Sequence, residues 1–336
     1  MTTTTTNRRW ILTQRPSGMV DRTSLELTSV AVPEPGPGQA LIKVQHLSID
    51  PTIRTWMDDA PGYLPPIAIG DVIRGGGVGE VLISHTDAYQ VGDLVFGMLG
   101  WQDFFLAQEG DGLLQVLPPG VEATLALNLF GVNGMTAYFG LLDVGALAEG
   151  DTVVVSGAAG ATGSCVGQIA KLKGAKTVVG LAGTDEKCRW IVDELGFDEA
   201  INYKTEPVAK RLRAACPDGI DLYFDNVGGE ILNDCLAQLA LRGRVVLCGA
   251  ISTYNTAEVT GPSNYRRLIS HRGRMEGFII LDYLDRFAQA QGAMFEWLAA
   301  GKIRHATHMV DGLESAPDAL NLLFTGGNTG KVIVAV

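Results

Sequence analysis

The 336-residue sequence predicts an α/β protein: a β-rich N-terminal part, a doubly wound parallel-sheet domain, and a short C-terminal return. Three observations predict it. The texture changes near Phe130, from short strands broken by Pro and Gly to regular strand–helix alternation. A glycine-rich run, VVVSGAAGATGSCVGQIAKLKGAK at 153–176, stands where a first strand turns into a first helix. Hydrophobic residues make up 46% and charged residues 19%, with 42 glycines, a core-forming and turn-rich composition.

The elements follow in order. MTTTTTNRRW carries no apolar stretch of the signal-peptide kind, and its threonine run reads as a frayed tail. PEPGPG is a turn, and QALIKVQHLSID after it alternates as a half-buried strand does. RGGGVGEVLISH and YQVGDLVFGM are further strands, with Gly75, Gly76 and Gly77 marking a bulge or bend in a barrel-like sheet. GMTAYFGLLDVGAL reads as a helix. Strand TVVVSG, a helix from about Thr162 to Lys173, then KTVVGLAG, EKCRWIVDELG, EAINYK, DLYFDNVG, GEILNDCLAQLA and GRVVLCGA alternate at βαβ spacing. The last stretch, from IRHATHMVDG to KVIVAV, returns to strand–helix–strand. The expected boundaries are 1–127 with 302–336 for the β-rich domain and 128–301 for the parallel-sheet domain.

The run at 153–176 carries the chemistry. A dinucleotide turn of the Rossmann kind has G-x-G-x-x-G between strand and helix; here Ala158, Gly160 and Gly163 fill the three places, with Gly157 beside them. Gly160 lets the backbone approach a pyrophosphate, and Gly163 lets the helix pack close to the strand. Free amides and the positive end of the helix would meet the phosphates. An NAD site needs an acidic residue at the end of the second strand for the ribose 2′-hydroxyl. KTVVGL instead ends in Ala182 and Gly183, followed by Lys187 and Arg189, which favours a 2′-phosphate and hence NADP(H). Asp185 and Glu186 leave open a reading in which Lys187 is a solvated helix residue.

Other chemistry is not encoded in these motifs. No Cys precedes Cys165, no C-x-x-C pair exists, and His46 and His85 stand alone, so no metal site is expected. The five cysteines read as reduced thiols of a cytoplasmic protein. A net charge of −11 argues against nucleic acid, and no apolar run is long enough to span a membrane. Neither G-x-S-x-G nor G-x-x-x-x-G-K-[ST] occurs. Nicotinamide chemistry on an acceptor that is already activated, such as a C=C conjugated to a carbonyl, is the reading that remains.

GMTAYFGLLDVG, SGAAGATGSCVGQIAKLKGAK, GTDEKCRWIVDELGF, NYK, FDNVGGE, CGAISTYN and GKVIV resemble, in colinear order, the zinc-free medium-chain dehydrogenase/reductases. Within them the chain is similar to the prostaglandin/leukotriene and bacterial curcumin reductases, NADPH-dependent alkenal/one reductases. The resemblance implies a GroES-like β-rich domain joined to a Rossmann domain. It implies that Ala159, Gly160, Ala161, Thr162 and Gly163 hold the pyrophosphate and that Lys187 and Tyr203 hold the 2′-phosphate. Asn226 would sit by the cofactor ribose. Cys248, Gly249, Ala250, Ile251, Ser252, Thr253 and Tyr254 would line the nicotinamide half, with Phe278, Ile279, Ile280 and Asn328 completing it. Tyr254 is the first candidate for the substrate carbonyl, since a tyrosine of ordinary pKa, about 10, keeps its proton at neutral pH. Tyr63 in GYLPP is the second, with packing on its prolines as the other reading. The family pattern S-x-D-P-Y-M-R-G-R-M appears here as SIDPTIRTWM, with Thr52 for Tyr and Thr55–Trp56 for Gly–Arg, departures expected near the substrate entrance. A homodimer is implied as well.

The expected activity is NADPH-dependent reduction of the C=C of α,β-unsaturated ketones and aldehydes by hydride transfer to the β-carbon. The alternatives are a quinone reductase, a zinc-free alcohol dehydrogenase, or a non-enzymatic NADPH-binding sensor or structural protein.

Overall fold

A computed structural model describes residues 6–111, 114–256 and 261–336. The threonine run lies, through Thr5, outside the described residues; Thr6 already opens a strand. The chain forms two compact units, residues 6–127 with 307–336, and residues 128–306.

The first unit is β-rich. Thr6–Leu12 and Leu25–Ala31 pair antiparallel. A seven-stranded sheet runs Thr307–Asp311, Lys331–Ala335, Gln39–Ile49, Gly77–Ser84, Leu94–Gly97, Gln115–Val116, with Phe104–Gln108 also pairing Gln39–Ile49. The C-terminal return belongs here because Lys331–Ala335 is antiparallel to Gln39–Ile49 and parallel to Thr307–Asp311. Trp10, Leu12, Ile42, Trp101 and Val334 are buried together, and the Trp10 indole donates to the carbonyl of Leu313 (2.8 Å).

Two expectations shift. The return begins at Thr307 rather than 302, because residues up to Ala306 are held by the second unit: the Arg304 amide donates to Gln168 Oε1 and the Asn128 amide to Ala306 O. The register between Gln39–Ile49 and Gly77–Ser84 shifts at two points, where Gln45 is skipped between Val44 and His46 and where Leu82 is skipped between Val81 and Ile83, and neither falls at Gly75–Gly77. Gly75 and Gly77 serve close approach instead: a Cβ on them would stand 2.9 Å from Trp101 Nε1 and from His46 O.

The second unit is a six-stranded parallel sheet, ordered Glu199–Asn202, Thr177–Ala182, Thr152–Ser156, Ile220–Asp225, Leu239–Leu247, Arg274–Gly277. In chain order that is 3-2-1-4-5-6, the doubly wound arrangement. TVVVS is buried at every position, as a central parallel strand must be. Helices Ala161–Leu172, Asp185–Asp193, Val208–Ala215 and Gly229–Ala237 alternate with the strands. GMTAYFGLLDVGAL is not a uniform helix: Val132–Phe139 is α and Gly140–Val144 continues as a π turn. A Cβ on Gly140 would stand 2.6 Å from Phe278 and 2.8 Å from Phe224, so the ring contacts need glycine there. Among the described residues no helix is long and apolar enough to cross a membrane.

Candidate active site

In a doubly wound sheet the ligand crevice lies beyond the carboxyl ends of the strands where the order reverses. Here that point falls between Thr152–Ser156 and Ile220–Asp225. The glycine turn begins there. Gly157 has φ +60°, so it is the tight-turn residue, and Ala158 needs no glycine. Ala158 is buried, its amide donating to Leu181 O (3.0 Å). Gly160 caps the helix in extended conformation, its amide bonded to Gly157 O (2.9 Å). A Cβ on Gly163 would stand 2.4 Å from Gly157 O and 2.9 Å from Ala158 Cα. Ala159 and Gly160 thus lead into a first turn, Ala161, Thr162 and Gly163, whose amides have no carbonyl within the helix. No acidic residue occupies that turn. A pyrophosphate fits these residues: amide donors and the positive helix end of roughly half a charge, with no acidic side chain in the first turn.

The second corner lies at the end of Thr177–Ala182. Asn202 pairs with Ala182, which brings Tyr203 and Lys204 back over Gly183. A Cβ on Gly183 would stand 2.8 Å from the Tyr203 hydroxyl and 3.3 Å from Lys204 Cε. Lys187 is half-buried in the first turn of Asp185–Asp193; its amide donates to the capping Thr184 Oγ1 (3.2 Å). Burial and the charge of Lys204 hold its ammonium below the ordinary lysine range, with Glu186 opposing them. Burial pushes the Tyr203 phenol up, so it is a donor at neutral pH. The carboxylate of Asp185 accepts from the buried Asn202 amide (2.6 Å).

The remaining wall is cross-braced. Asn226 donates from its backbone to Ser156 Oγ (2.9 Å) and from its side chain to Ser156 O (2.7 Å). Asp225 Oδ1 accepts from Ser156 Oγ, Tyr223 OH and the amides of Val227 and Gly228. Cys248 and Gly249 donate to Asp225 O; Ile251 and Ser252 donate to the carbonyls of Asn226 and Val227. Ala250 and Thr253 share two bonds across the 3-10 turn Ile251–Thr253. Tyr254 folds back so that its hydroxyl accepts from the Ala250 amide (3.1 Å), and an O–H that accepts one bond can donate another. Desolvation and the charge of Asp225 push the Cys248 thiol up to about 12, so it is a neutral packing group. Phe278, Ile279 and Ile280 follow the edge strand, half-buried, Phe278 edge-on to Tyr283.

Two expected site residues belong to the first unit. Tyr63 is 47% exposed, its hydroxyl 2.8 Å from Thr52 Oγ1 and its ring edge-on to Trp56. With Pro61, Leu64 and Pro66, Trp56 and Tyr63 line a cavity of about 240 Å³. Two buried cations hold this segment. Lys331, 1% exposed, donates to Ile49 O and Asp50; Arg54, 4% exposed, donates to Gly18 O, Pro16 O and Asp58. Asn328 is buried and its amide donates to Gly330 O (2.9 Å). Among the described residues no group of three or more His, Cys, Asp or Glu is placed to hold a metal ion.

Gly157, beside the fingerprint in the sequence, is the residue that relieves the turn. Sequence reasoning passed over three groups. Ser156 and Asp225 read as strand ends, although Asp225 stood in the quoted FDNVGG. Lys204 stood in NYK, and the signal was a second cation beside a tyrosine already expected to touch phosphate.

The fold and the glycine turn define a nicotinamide-dependent oxidoreductase of two units. Two family profiles match: an N-terminal domain of oxidoreductase over residues 8–116 and a zinc-binding dehydrogenase over 161–299. A Bacillus subtilis protein, YfmJ, named as an NADP-dependent oxidoreductase, is 45% identical over 97% of this chain and 96% of its own. A Nicotiana tabacum 2-alkenal reductase (NADP⁺-dependent) is 39% identical over 98% and 97%. The crystal structure of CurA from Vibrio vulnificus in complex with NADPH superposes with a TM-score of 0.92 at 41% identity, over 98% of this chain and 99% of that one. The chain belongs to the zinc-free medium-chain dehydrogenase/reductase family.

Proposed function

We propose that this NADP(H)-dependent reductase acts on the conjugated C=C of α,β-unsaturated ketones and aldehydes. The observation that carries the reading is Tyr254, a phenol held by the Ala250 amide on a loop bonded directly to the Asp225–Val227 turn. A neighbouring 2-alkenal reductase supports the substrate class.

NADPH, when bound, would supply the hydride that the substrate β-carbon accepts. The chain's residues do the rest. Ala159 to Gly163 and the corner of Lys187 and Tyr203 anchor the phosphates. Asn226 and the loop 248–254, with Phe278 to Ile280, hold the nicotinamide half. Tyr254 donates a hydrogen bond to the carbonyl oxygen, where negative charge develops in the enolate. A proton from solvent, or relayed through Tyr254, then reaches the α-carbon, completing the two-electron reduction to the saturated carbonyl. Tyr63, held by Thr52, is assigned to substrate contact. A cytoplasmic homodimer is part of this reading, and sedimentation equilibrium tests the dimer.

The test is NADPH oxidation with matched acceptors: each enone, its saturated ketone, its allylic alcohol, and a quinone, repeated with NADH. Turnover of the enone with NADPH preferred is expected. Turnover of the quinone alone, or tight NADPH binding without turnover of any acceptor, overturns the reading. Tyr254→Phe lowers kcat about a hundredfold or more, the usual range for a lost acid–base group, with NADPH affinity unchanged. Equal kcat removes Tyr254 from the step.

A further inference from the structure

Lys331 opens the strand Lys331–Ala335 and is 1% exposed, so its ammonium lies inside the β-rich unit. It has no task in the hydride and proton steps proposed above. Taking an ammonium out of water is costly, and an uncharged, well-packed pair of similar volume often serves stability as well or better. The charge therefore calls for a reason other than stability.

Sheet register supplies the geometry. Val332 pairs with Ile49 and Ile333 with Ser48, so Lys331 stands where the neighbouring chain leaves the sheet at Asp50. Its Nζ donates to Ile49 O (2.9 Å) and to Asp50 Oδ1 (2.6 Å). Ser48 Oγ donates to Asp50 Oδ2, so both carboxylate oxygens are held. Burial pulls the Lys331 ammonium below the ordinary lysine range, and the charge and hydrogen bond of Asp50 oppose that pull. Asp50 is the joint between strand and helix. Its carbonyl accepts the Ile53 amide (3.1 Å), and Pro51, which has no N–H, stands between it and the helix Thr52–Thr55. That helix has no side-chain cap, so the charged clasp fixes the start that a cap would otherwise fix.

The helix carries this position to the cavity of the first unit. Thr52 Oγ1 lies 2.8 Å from the Tyr63 hydroxyl. Trp56, next after the helix, meets the Tyr63 ring edge-on, and its carbonyl accepts the Ile67 amide (2.8 Å). Tyr63 is half-exposed on the loop 60–66, so close packing does not fix its ring and its place follows Thr52 and Trp56. A shift at the clasp is thus passed on to the ring.

We propose that Lys331 is a positioning residue for the acceptor: through Asp50 it sets the helix Thr52–Thr55 and, with it, the place of Tyr63 in the cavity wall. The proposal rests on the reading of Tyr63 as an acceptor contact.

The experiment compares the full chain with K331M, the neutral pair D50N/K331M, T52V, the pair combined with T52V, and Y63A. Urea unfolding, NADPH affinity by calorimetry, and KM and kcat for benzylideneacetone at saturating NADPH are measured. K331M alone strands the Asp50 carboxylate and loses stability; the neutral pair restores it. The pair is expected to raise the acceptor KM about 5- to 10-fold, the scale of one hydrogen bond or slightly more. Its kcat and NADPH affinity stay within about twofold, the pattern of lost acceptor binding. Adding T52V to the pair raises KM by no more than about twofold further, because both changes act on one contact. The proposal is overturned if the neutral pair does not fold, if it folds and keeps the parent's KM, if T52V acts on it with the full factor seen in the parent, or if kcat and NADPH affinity fall along with the rise in KM; Lys331 is then a structural residue. If Y63A keeps the parent's KM, the reading of Tyr63 falls, and the proposal with it.

Discussion

Replacing Asp225 by alanine tests whether the wall beside the glycine turn is built on one buried carboxylate. Four donors converge on its Oδ1: Tyr223 OH at 2.6 Å, the amides of Val227 and Gly228 at 2.9 Å, and Ser156 Oγ at 3.1 Å. Tyr223 is fully buried, and its hydroxyl cannot turn to water. A buried donor left unmet costs roughly 1–3 kcal/mol. Ser156 can turn to another acceptor, so three donors are stranded and the loss is at least about 3 kcal/mol. The turn Val227–Gly228 also loses its anchor, and Gly228 holds φ +71°. NADPH affinity is therefore expected to fall tenfold or more, about 1.4 kcal/mol. Asp225→Asn keeps an acceptor at Oδ1 and is expected to cost about 1 kcal/mol or less near neutral pH.

The pH dependence adds a signed check. Burial pushes the Asp225 carboxyl up, against the pull of its four donors. A raised folded pKa means that its contribution to stability is fully present below the unfolded value, about 3.9, and declines as pH rises through the folded value. The variant D225N lacks that decline, so its stability relative to the parent improves over the same interval. Urea unfolding across pH, with NADPH titration of each variant, measures both effects. A D225A protein within about 1 kcal/mol of the parent, binding NADPH as the parent does, would refute the reasoning.

Three further outcomes are expected. Gly163→Ala puts a Cβ 2.4 Å from a backbone oxygen, so it costs about 1–3 kcal/mol in denaturation and, on the proposal that this turn holds the pyrophosphate common to both, weakens NADPH and NADH alike. The NADPH-over-NADH ratio falls as pH rises into the alkaline range. Burial and Lys204 make Lys187 lose its proton below the ordinary lysine range, and the dianionic group favours the protonated form; titrations of K187R across pH remain flatter. Thr52→Val removes the hydroxyl pair with Tyr63 and raises the acceptor KM a few-fold, about 1 kcal/mol, leaving NADPH affinity unchanged; Thr52→Ser restores it, and equal KM for both variants would detach the pair from substrate binding.

Much of the cofactor unit was legible because its signals are local. A central parallel strand is apolar throughout, and TVVVS is. A turn into a helix needs glycine where φ is positive or where backbones touch, and Gly157 and Gly163 meet those needs in adjacent residues. The lack of a carboxylate at Ala182–Gly183 also stands in the sequence alone. The sequence by itself thus determined the strand–helix order, the glycine turn and the choice of NADP(H).

Tertiary structure decided what meets across distance. Asp225 becomes the hub of the wall only because its strand pairs with the one ending in Ser156. Lys204 reaches Gly183 only because register sets Asn202 opposite Ala182. Thr52 finds Tyr63, and Lys331 finds Asp50, through contacts that no periodicity encodes. The end of the second unit at Ala306 rests likewise on hydrogen bonds from the Arg304 amide to Gln168 and from Asn128 to Ala306. Periodicity and backbone sterics act over a few residues and can be read along a chain. Hydrogen-bond partners of buried polar groups depend on which strands lie side by side, and that is settled only when the sheet forms.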